Sequence, residues 1–205
     1  MLVSAIMPTR NRHGFAADSL ACFLAQDWAT KELIILDDDD APSFPNGIVA
    51  KDVHYHRQPR ATIGAKRNTC CRLAKGEVIV HWDDDDYSAP GRITDQVNRM
   101  VHFAAPFTGY NSMLFRDGEE VYRYKGSERY AIGTSFCFRR WLWERTPFDE
   151  LGFLPDGTVV PEDNLFVAKN RAALVAVDAG AMMWARIHKG CTSPHKGVGS
   201  CWERL

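Results

Sequence analysis

Two runs of four consecutive aspartates, at residues 37–40 and 83–86, carry the densest charge in the sequence. Each run directly follows a short apolar stretch, 32–36 and 77–82, that is typical of a buried β-strand. Adjacent carboxylates repel one another, most strongly near a packed sheet where the dielectric is low, so they destabilise the fold unless a cation or a hydroxyl-rich ligand binds them. The runs therefore favour a metal and nucleotide site over the alternative of a solvated acidic loop.

The composition is that of one globular domain. The 205 residues are 45% hydrophobic and 25% charged, which excludes a disordered chain, and the net charge of -1 gives no sign of a general polyanion binder. No apolar segment approaches the roughly 20 residues that span a bilayer, and the N-terminus lacks a signal-peptide pattern. We therefore expect a cytoplasmic protein without a transmembrane segment. Its six cysteines have no CxxC spacing and are expected to be reduced thiols.

The elements that must position the aspartates follow from the apolar periodicity. In the first half, apolar runs alternate with helical patterns, which predicts strand-helix-strand units and a largely parallel sheet. We expect strands at 2–7, 33–36, 53–56 and 78–82, and helices at 15–26, 64–75 and after Pro90.

The second half has a different pattern. Apolar runs at 110–115 and 121–124 flank Asp117-Gly118, which is a hairpin signal. A strand at 134–139, a helix at 164–173 and a last strand at 174–177 are expected to follow. The sequence therefore predicts a single α/β domain with an antiparallel insertion.

Several ordered segments resemble the family 2 glycosyltransferases of the GT-A fold. They are VSAIMPTRNR at 3–12, LDD at 36–38, GAKRN at 64–68, HWDDDDYSAP at 81–90, PED at 161–163 and RIH at 186–188. The resemblance implies one GT-A (Rossmann-like) domain with a mostly parallel central sheet flanked by helices. Residues 1–105 would bind a nucleotide sugar, and residues 106–205 would bind the acceptor and carry the catalytic base.

The second aspartate run has the form of a DxD motif. Side chains alternate along an extended segment, so Asp83 and Asp85 are expected on one side and Asp84 and Asp86 on the other. Mn²⁺ and Mg²⁺ prefer oxygen ligands, and diphosphate oxygens can complete the coordination shell of either ion. By resemblance, Asp83 lies near the donor ribose and the metal, Asp84 belongs to the donor site, and Asp85 binds the metal. A register one residue later stays open.

The first aspartate run is assigned to the nucleotide base. By resemblance, Asp37 or Asp38 accepts a hydrogen bond from the base, and Thr9 and Arg10 form the other wall of the base pocket. The alternative for Thr9 and Arg10 is a plain turn, and Asp39 and Asp40 have no assigned role.

Two basic residues lie at the start of the second predicted helix, 64–75. Lys66 and Arg67 in a first helical turn oppose the helix dipole, which favours anions at that end. A phosphate nearby would resolve the conflict by binding the free N–H groups and the basic side chains. We therefore assign both residues to the donor, against the alternative of a solvated helix start.

The acidic pair Glu162-Asp163 supplies the expected base. Displacement at an anomeric carbon needs a group that takes the proton from the acceptor hydroxyl. By resemblance, Asp163 is that base, and Glu162 orients the acceptor or begins a helix, where carboxylates favour the dipole.

Histidine and tryptophan residues complete the expected site. By resemblance, His188 is a further protein contact to the metal or the diphosphate. His195 has less support, and His81 is expected in the core. Among the aromatic residues of the second half, Trp184 is assigned to the acceptor, against the more frequent alternative of core packing.

The sequence thus predicts a metal-dependent, inverting glycosyltransferase. It would transfer a hexose from a nucleotide sugar, expected to be a UDP-sugar, to a hydroxyl of an unknown glycan, lipid, protein or modified nucleic acid. The alternatives are a nucleotidyltransferase, although Pro8 to Arg12 is not its glycine-rich phosphate loop, and a non-catalytic nucleotide- or sugar-binding module of the same fold.

Overall fold

One mixed β-sheet organises the chain in the structure, a computed structural model that describes residues 1–151, 161–191 and 199–205. The described residues form eleven strands and five α-helices. In chain order they are β1 (Val3–Thr9), α1 (His13–Leu24), β2 (Lys31–Asp37), β3 (Val53–Arg57), α2 (Ile63–Leu73), β4 (Val78–His81), β5 (Tyr87–Ser88), α3 (Arg92–His102), β6 (Phe107–Asp117), β7 (Glu120–Lys125), β8 (Cys137–Arg139), α4 (Arg140–Arg145), α5 (Glu162–Asn170), β9 (Leu174–Asp178), β10 (Met183–Arg186) and β11 (Trp202–Arg204).

The first half forms a block of four parallel strands in the order β4-β1-β2-β3. In this register Thr9 lies opposite Asp37, so the carboxyl ends of β1 and β2 are level. The last residue of β4, His81, lies opposite Ile6, and the second aspartate run begins two residues later. Both aspartate runs therefore emerge at the same edge of the sheet, the edge at which α/β sheets bind ligands.

Apolar side chains cover both faces of this block, because the strands are hydrophobic at odd and even positions alike. Val3, Ala5 and Met7 of β1 pack on one face with α1 and α3. Ile6 packs on the other face, with residues of α2, α4 and α5. The aspartates are therefore held by strands that are buried on both sides.

The second half extends the sheet with antiparallel strands in the order β8-β6-β7-β11. Strand β10 runs parallel to β6 and antiparallel to β5, which directly follows the second aspartate run. This pairing brings the end of β10 beside the aspartates. Residues of the two halves are far apart in sequence, and they meet here because their strands are neighbours in the sheet.

The predicted α/β class is confirmed, and the antiparallel part is larger than the predicted hairpin. The predicted strand at 134–139 contains only Cys137–Arg139, because Gly133–Ser135 forms a 3₁₀ turn. Short strands β5, β10 and β11 were not predicted. Among the helices that the structure describes, none is long and apolar enough to cross a membrane.

Candidate active site

A cavity of about 630 Å³ opens where the parallel strands end. The predicted site residues that line it are Arg10, Lys66, Arg67, Asp83, Asp84, Asp85, Glu162 and Asp163. Three further predicted site residues, Thr9, Asp38 and His188, do not line the cavity themselves but form hydrogen bonds to residues that do. Asp37 and Trp184 lie further off, and His195 falls outside the described residues. The structure therefore brings both halves of the predicted site around one cavity.

Asp37 is buried and holds the loop that follows β2. Its carboxylate accepts hydrogen bonds from Tyr55 Oη at 2.6 Å, Ser43 N at 2.7 Å and Asp39 N at 2.9 Å. Burial raises the pKa of Asp37, but these hydrogen bonds outweigh it and leave the pKa below the usual value of a carboxyl group. A carboxylate can accept about four hydrogen bonds, so these three bonds do not exclude a further one from a nucleotide base.

Asp38 forms a buried ion pair with Lys66. Asp38 Oδ1 lies 2.7 Å from Lys66 Nζ, and its Oδ2 accepts a hydrogen bond from Ala61 N at 2.9 Å. Lys66 also donates to the carbonyl of Thr9 at 3.3 Å. The lysine thus joins the ends of β1 and β2 to the start of α2, and its charge is already neutralised within the protein.

Asp39, which had no role assigned from sequence, ties the loop after β2 to the loop after β1. It accepts a hydrogen bond from Asn11 N at 3.2 Å and lies 3.3 Å from His13 Nε2. The side chain of Asp40 is exposed, and its backbone carbonyl accepts from Arg57. The first aspartate run is therefore bound mostly to groups of the protein itself.

The four carboxylates of the second run have four different surroundings. Asp83 Oδ1 lies 3.6 Å from Arg67 Nη2, and Asp84 accepts from Thr9 Oγ1 at 2.6 Å. The chain turns at 84–85, so the side chains do not alternate as they would along an extended strand. Asp85 and Asp86 point to partners from the loops around β10 and the 133–135 turn, and each is described below.

Burial shifts the pKa values of Asp83, Asp84 and Asp86 upward. It raises the pKa of Asp84 to about 7, with the charge of Asp85 as the second cause. The pKa of Asp83 and that of Asp86 are also raised, chiefly by burial. Carboxylates this close together in a desolvated site hold protons unless a cation compensates them. The second run therefore favours binding of positive charge.

Asp86 connects the run to the second half of the chain. It accepts hydrogen bonds from Thr134 Oγ1 at 2.7 Å and from Arg186 N at 3.1 Å. The buried guanidinium of Arg92 lies nearby and donates to the carbonyls of His81 and Thr134, both at 2.8 Å. Sequence reasoning missed Arg92. A cation in the first turn of α3 opposes the helix dipole, the signal used for Lys66, and could have indicated it.

Asp85 lies in a cluster with His188 and Arg12. Asp85 Oδ2 is 2.9 Å from both Arg12 Nη1 and His188 Nε2. One ligand atom each from Asp85, His188 and Cys191 lies within 4.8 Å of the others. Oxygen, nitrogen and sulfur donors thus converge at a point that the cationic Arg12 already contacts. This donor set fits a divalent metal ion. Arg12 and Cys191 were not predicted from sequence.

Glu162 and Asp163 are the first two residues of α5. Both line the cavity, but they have different partners. Glu162 forms an ion pair with Arg67. Asp163 Oδ1 accepts from Asn164 N at 2.7 Å, and burial, followed by the charge of Glu162, raises the pKa of Asp163 to about 6. A carboxylate with this pKa can take up a proton near neutral pH.

Gly133 allows the close approach of Asp163. A Cβ atom at residue 133 would overlap Asp163 Oδ2. The carbonyl of Gly133 is fixed by His81 Nδ1 at 2.7 Å. His81 is buried among phenylalanine rings, as predicted for a core residue, and burial holds its pKa well below the usual value. The neutral imidazole therefore positions the turn against which Asp163 lies.

Unpartnered arginine nitrogens face the same region. Arg10 and Arg67 line the cavity, and the Nε atom of each is buried without a hydrogen-bond partner in the described part of the chain. Guanidinium groups bind phosphate well. Trp184 lies on a separate surface, stacked on Tyr87 with ring centroids 5.5 Å apart and with the guanidinium of Arg116 over it at 4.8 Å.

Solved structures of similar fold are glycosyltransferases. The Staphylococcus aureus TarS 1–349 structure in complex with UDP-GlcNAc aligns with a TM-score of 0.73 at 18% identity, over 93% of this chain and 60% of that one. The mannosyltransferase PcManGT from Pyrobaculum calidifontis, in complex with GDP-Man and Mn²⁺, aligns with a TM-score of 0.65 at 16% identity, over 86% and 54%. These likenesses show the GT-A fold.

Two curated relatives match part of the chain. One, of Escherichia coli (strain K12), is named as a colanic acid biosynthesis glycosyl transferase, WcaA, and is 32% identical over 99 residues, which are 45% of this chain and 36% of that protein. The other, an uncharacterized glycosyltransferase of Haemophilus influenzae, is 29% identical over 106 residues, 49% and 42% of the respective lengths. The matched region thus spans about two fifths of the length of these relatives.

The family comparison covers most of the chain. Residues 4–158 match the sequence model described as glycosyl transferase family 2. This range contains both aspartate runs, Lys66 and Arg67, and ends before Asp163. The chain belongs to glycosyl transferase family 2.

Proposed function

We propose that this chain is a metal-dependent, inverting glycosyltransferase that moves a hexose from a UDP-sugar to an acceptor hydroxyl. One observation carries the proposal. A single cavity is lined both by the carboxylates of 83–86 and by Asp163, whose pKa burial raises to about 6. The first group suits a cation and a diphosphate, and the second suits proton transfer, so the reaction can take place between them.

The donor side is assigned to residues of the first half. Arg10 and Arg67 line the cavity, each has a buried Nε without a hydrogen-bond partner among the described residues, and both are assigned to the diphosphate. Asp83 lies beside Arg67 and is assigned to the ribose. Thr9 orients Asp84 through its hydroxyl. Asp37, Asp38 and Lys66 shape the loops where the nucleotide base is expected to lie. A UDP-sugar donor is favoured because TarS, of the same fold, has been solved with UDP-GlcNAc and with UDP.

Asp85 and His188 are the residues proposed to hold Mn²⁺ or Mg²⁺. The fit rests on their convergence with Cys191 around the position that Arg12 contacts. When bound, the metal would neutralise the charge that develops on the departing nucleoside diphosphate. The PcManGT structure, in complex with GDP-Man and Mn²⁺, shows that a protein of this fold binds such an ion.

Asp163 is proposed to act as the base. Its Oδ2, held against Gly133, would take the proton of the acceptor hydroxyl while that oxygen attacks the anomeric carbon. A single direct displacement inverts the anomeric configuration, and no second nucleophile is required. Glu162 keeps Arg67 in place through their ion pair. The acceptor hydroxyl belongs to a glycan, lipid, protein or modified nucleic acid. Trp184 lies outside the cavity and is assigned to a part of the acceptor away from that hydroxyl.

Donor turnover tests the proposal. The protein is incubated with a panel of nucleotide sugars and Mn²⁺, and the released products are identified. We expect nucleoside diphosphate. Release of pyrophosphate would show a nucleotidyltransferase, and nucleotide binding without product would show a binding module. Absence of any nucleotide binding by calorimetry would refute the proposed donor class.

Three alanine variants test the assigned roles. Asp85→Ala and Asp163→Ala are expected to reduce transfer by orders of magnitude with an unchanged fold. Asp40→Ala is the matched control, because this carboxylate is exposed and belongs to the other aspartate run. Activity near that of the wild type in either site variant would refute the role of that residue.

A further inference from the structure

Cys191 lies three residues after His188 and belongs to the same loop. Its Sγ accepts a hydrogen bond from His188 N at 3.2 Å and donates to the carbonyl of Arg186 at 3.4 Å. It is a free thiol, is partly exposed and lines the cavity. The sulfur is therefore fixed next to the histidine and is reachable from solvent.

Three different donor atoms converge at this place. A carboxylate oxygen of Asp85, a ring nitrogen of His188 and Cys191 Sγ all lie within 4.8 Å of one another. In tetrahedral zinc sites the metal lies about 2.0–2.3 Å from each ligand, which puts the ligands roughly 3.3–3.8 Å apart. The pair of Asp85 Oδ2 and His188 Nε2, which are 2.9 Å apart, would have to separate by about 0.5 Å, and Cys191 Sγ would have to approach by up to about 1 Å, to reach that spacing.

Positive charge already occupies the space between these donors. Arg12 Nη1 lies 2.9 Å from Asp85 Oδ2 and contacts both ring nitrogens of His188, while Nη2 contacts the carbonyl of Gly190. A metal ion that binds here must displace this guanidinium. Arg12 is thus a competitor for the site, which predicts that its removal strengthens metal binding.

We propose that Cys191 is a third protein ligand of the metal site, so that the site binds Zn²⁺ or Co²⁺ through oxygen, nitrogen and sulfur with one position left for a water or a diphosphate oxygen. This inference rests on the proposed metal-binding role of Asp85 and His188. Binding replaces the thiol S–H bond by a metal–sulfur bond and releases one proton to solvent. The backbone N–H of His188 continues to donate to the thiolate, which favours its charged form.

The sulfur changes which metal the site prefers. Thiolate suits zinc and other soft or borderline ions, whereas Mg²⁺ and Mn²⁺ prefer oxygen ligands. The site should therefore bind Zn²⁺ more tightly than Mn²⁺ in the absence of nucleotide. A site of oxygen and nitrogen ligands alone also binds Zn²⁺ more tightly than Mn²⁺, so the diagnostic quantity is the change of this preference in Cys191→Ser. If Cys191 is only a structural part of the loop, the preference should be the same in that variant.

Cobalt spectroscopy on the whole chain tests the proposal without any measurement of activity. Co²⁺ is titrated into the reduced protein, and the near-ultraviolet band that reports sulfur-to-cobalt charge transfer is followed, together with zinc competition. We expect one Co²⁺ per chain and a band that is lost in Cys191→Ser. Zinc affinity should fall at least tenfold in that variant. Cys201→Ser, which removes an exposed cysteine elsewhere, is the matched control and should keep the band.

Three further variants separate the outcomes. Asp85→Asn and His188→Ala should abolish the band, and Arg12→Gln should increase cobalt affinity. Co²⁺ binding that depends on Asp85 and His188 but shows no sulfur band would refute the role of Cys191 and leave the proposed metal site intact. A sulfur band that persists in both variants would show an unrelated thiol site and refute the inference. No Co²⁺ binding by the wild type, with or without UDP, would refute the metal site and the inference together.

Discussion

Asparagine at position 163 should make the protein inactive and, at neutral pH, more stable. Asp163 lies against Gly133, and burial and the charge of Glu162 raise its pKa to about 6 from the usual 3.8, while Arg67 partly offsets them. Asparagine keeps the shape of the side chain and removes the charge. It also removes the ability to accept the proton from the acceptor hydroxyl.

The expected stability gain depends on pH and follows from proton linkage. Below pH 4 the carboxyl group of Asp163 is protonated in both the folded and the unfolded chain, so its titration does not change the free energy of unfolding. Between pH 4 and 6 the unfolded chain loses the proton first, and the free energy of unfolding falls. Two pKa units correspond to about 3 kcal/mol at 1.4 kcal/mol per unit. Asparagine does not titrate, so the variant does not lose this stability. Its free energy of unfolding should exceed that of the wild type by about 2–3 kcal/mol at pH 7 and by about zero at pH 4.

Urea unfolding between pH 4 and pH 7, with kcat measured over the same range, checks both parts. In the wild type kcat should fall about tenfold per pH unit below pH 6, because the base must be deprotonated. The matched control is Asp117→Asn, which changes an exposed carboxylate at the end of β6 and should show no such dependence. A variant at residue 163 that is equally destabilised at every pH, or a wild-type kcat that does not decline below pH 6, would refute the reasoning.

Three other substitutions have defined outcomes. Gly133→Ala should lower kcat about 100-fold with little change in stability, because the new Cβ displaces the Asp163 carboxylate by about 1 Å, and kcat together with the thermal midpoint checks this. Arg67→Met should lower the free energy of unfolding by about 3–5 kcal/mol in urea, since it leaves buried carboxylates unpaired, and adding Glu162→Gln should restore part of the loss. Ser4→Ala should lower it by about 1–3 kcal/mol, because its buried hydroxyl joins two polar groups, and should not change kcat.

Matched variants control these three predictions. Gly14→Ala adds a methyl group where no atom lies within 4 Å, so it should leave kcat unchanged. Arg171→Met and Ser127→Ala change exposed side chains and should shift stability by less than about 0.5 kcal/mol. Equal effects of a site variant and its control would contradict the contact on which that prediction depends.

The parallel half of the fold was predictable because its signal is local. Strands β1, β2 and β4 are apolar on both faces, and helices separate β1 from β2 and precede β4, so the sequence contains the pattern of a buried parallel sheet. Strands β5, β10 and β11 have two to four residues and form only because they pair with distant partners. The turn at Gly133–Ser135 was missed for a similar reason, since its carbonyl groups bond to His81 and Arg92.

The sequence indicated which residues belong to the site, but it did not indicate which of them pair with one another. The basic start of α2 was interpreted as a sign of a phosphate, yet Lys66 pairs with Asp38 and Arg67 pairs with Glu162, 95 residues away. Both the lysine and the arginine thus have a carboxylate partner, and the Nε of Arg67 is buried without a hydrogen-bond partner among the contacts described. A dipole conflict in sequence indicates that an anion is nearby, but it cannot tell whether the anion is a ligand or a carboxylate.

The two aspartate runs differ in how their charge is compensated. In the first run Tyr55, Lys66 and backbone amides satisfy Asp37 and Asp38, and the pKa of Asp37 is lowered. Asp37 is therefore stable in its ionised form without any ligand, and this run can act as a fixed support of the loops. In the second run the pKa of Asp84 rises to about 7 and that of Asp86 is raised well above its usual value, because burial exceeds the compensation that the protein supplies. Binding of a cation must lower these pKa values and release protons, so it stabilises the folded state by linkage. The same desolvation that raises these pKa values therefore strengthens the binding of positive charge, and this difference, more than the residue types, separates a ligand site from a structural one.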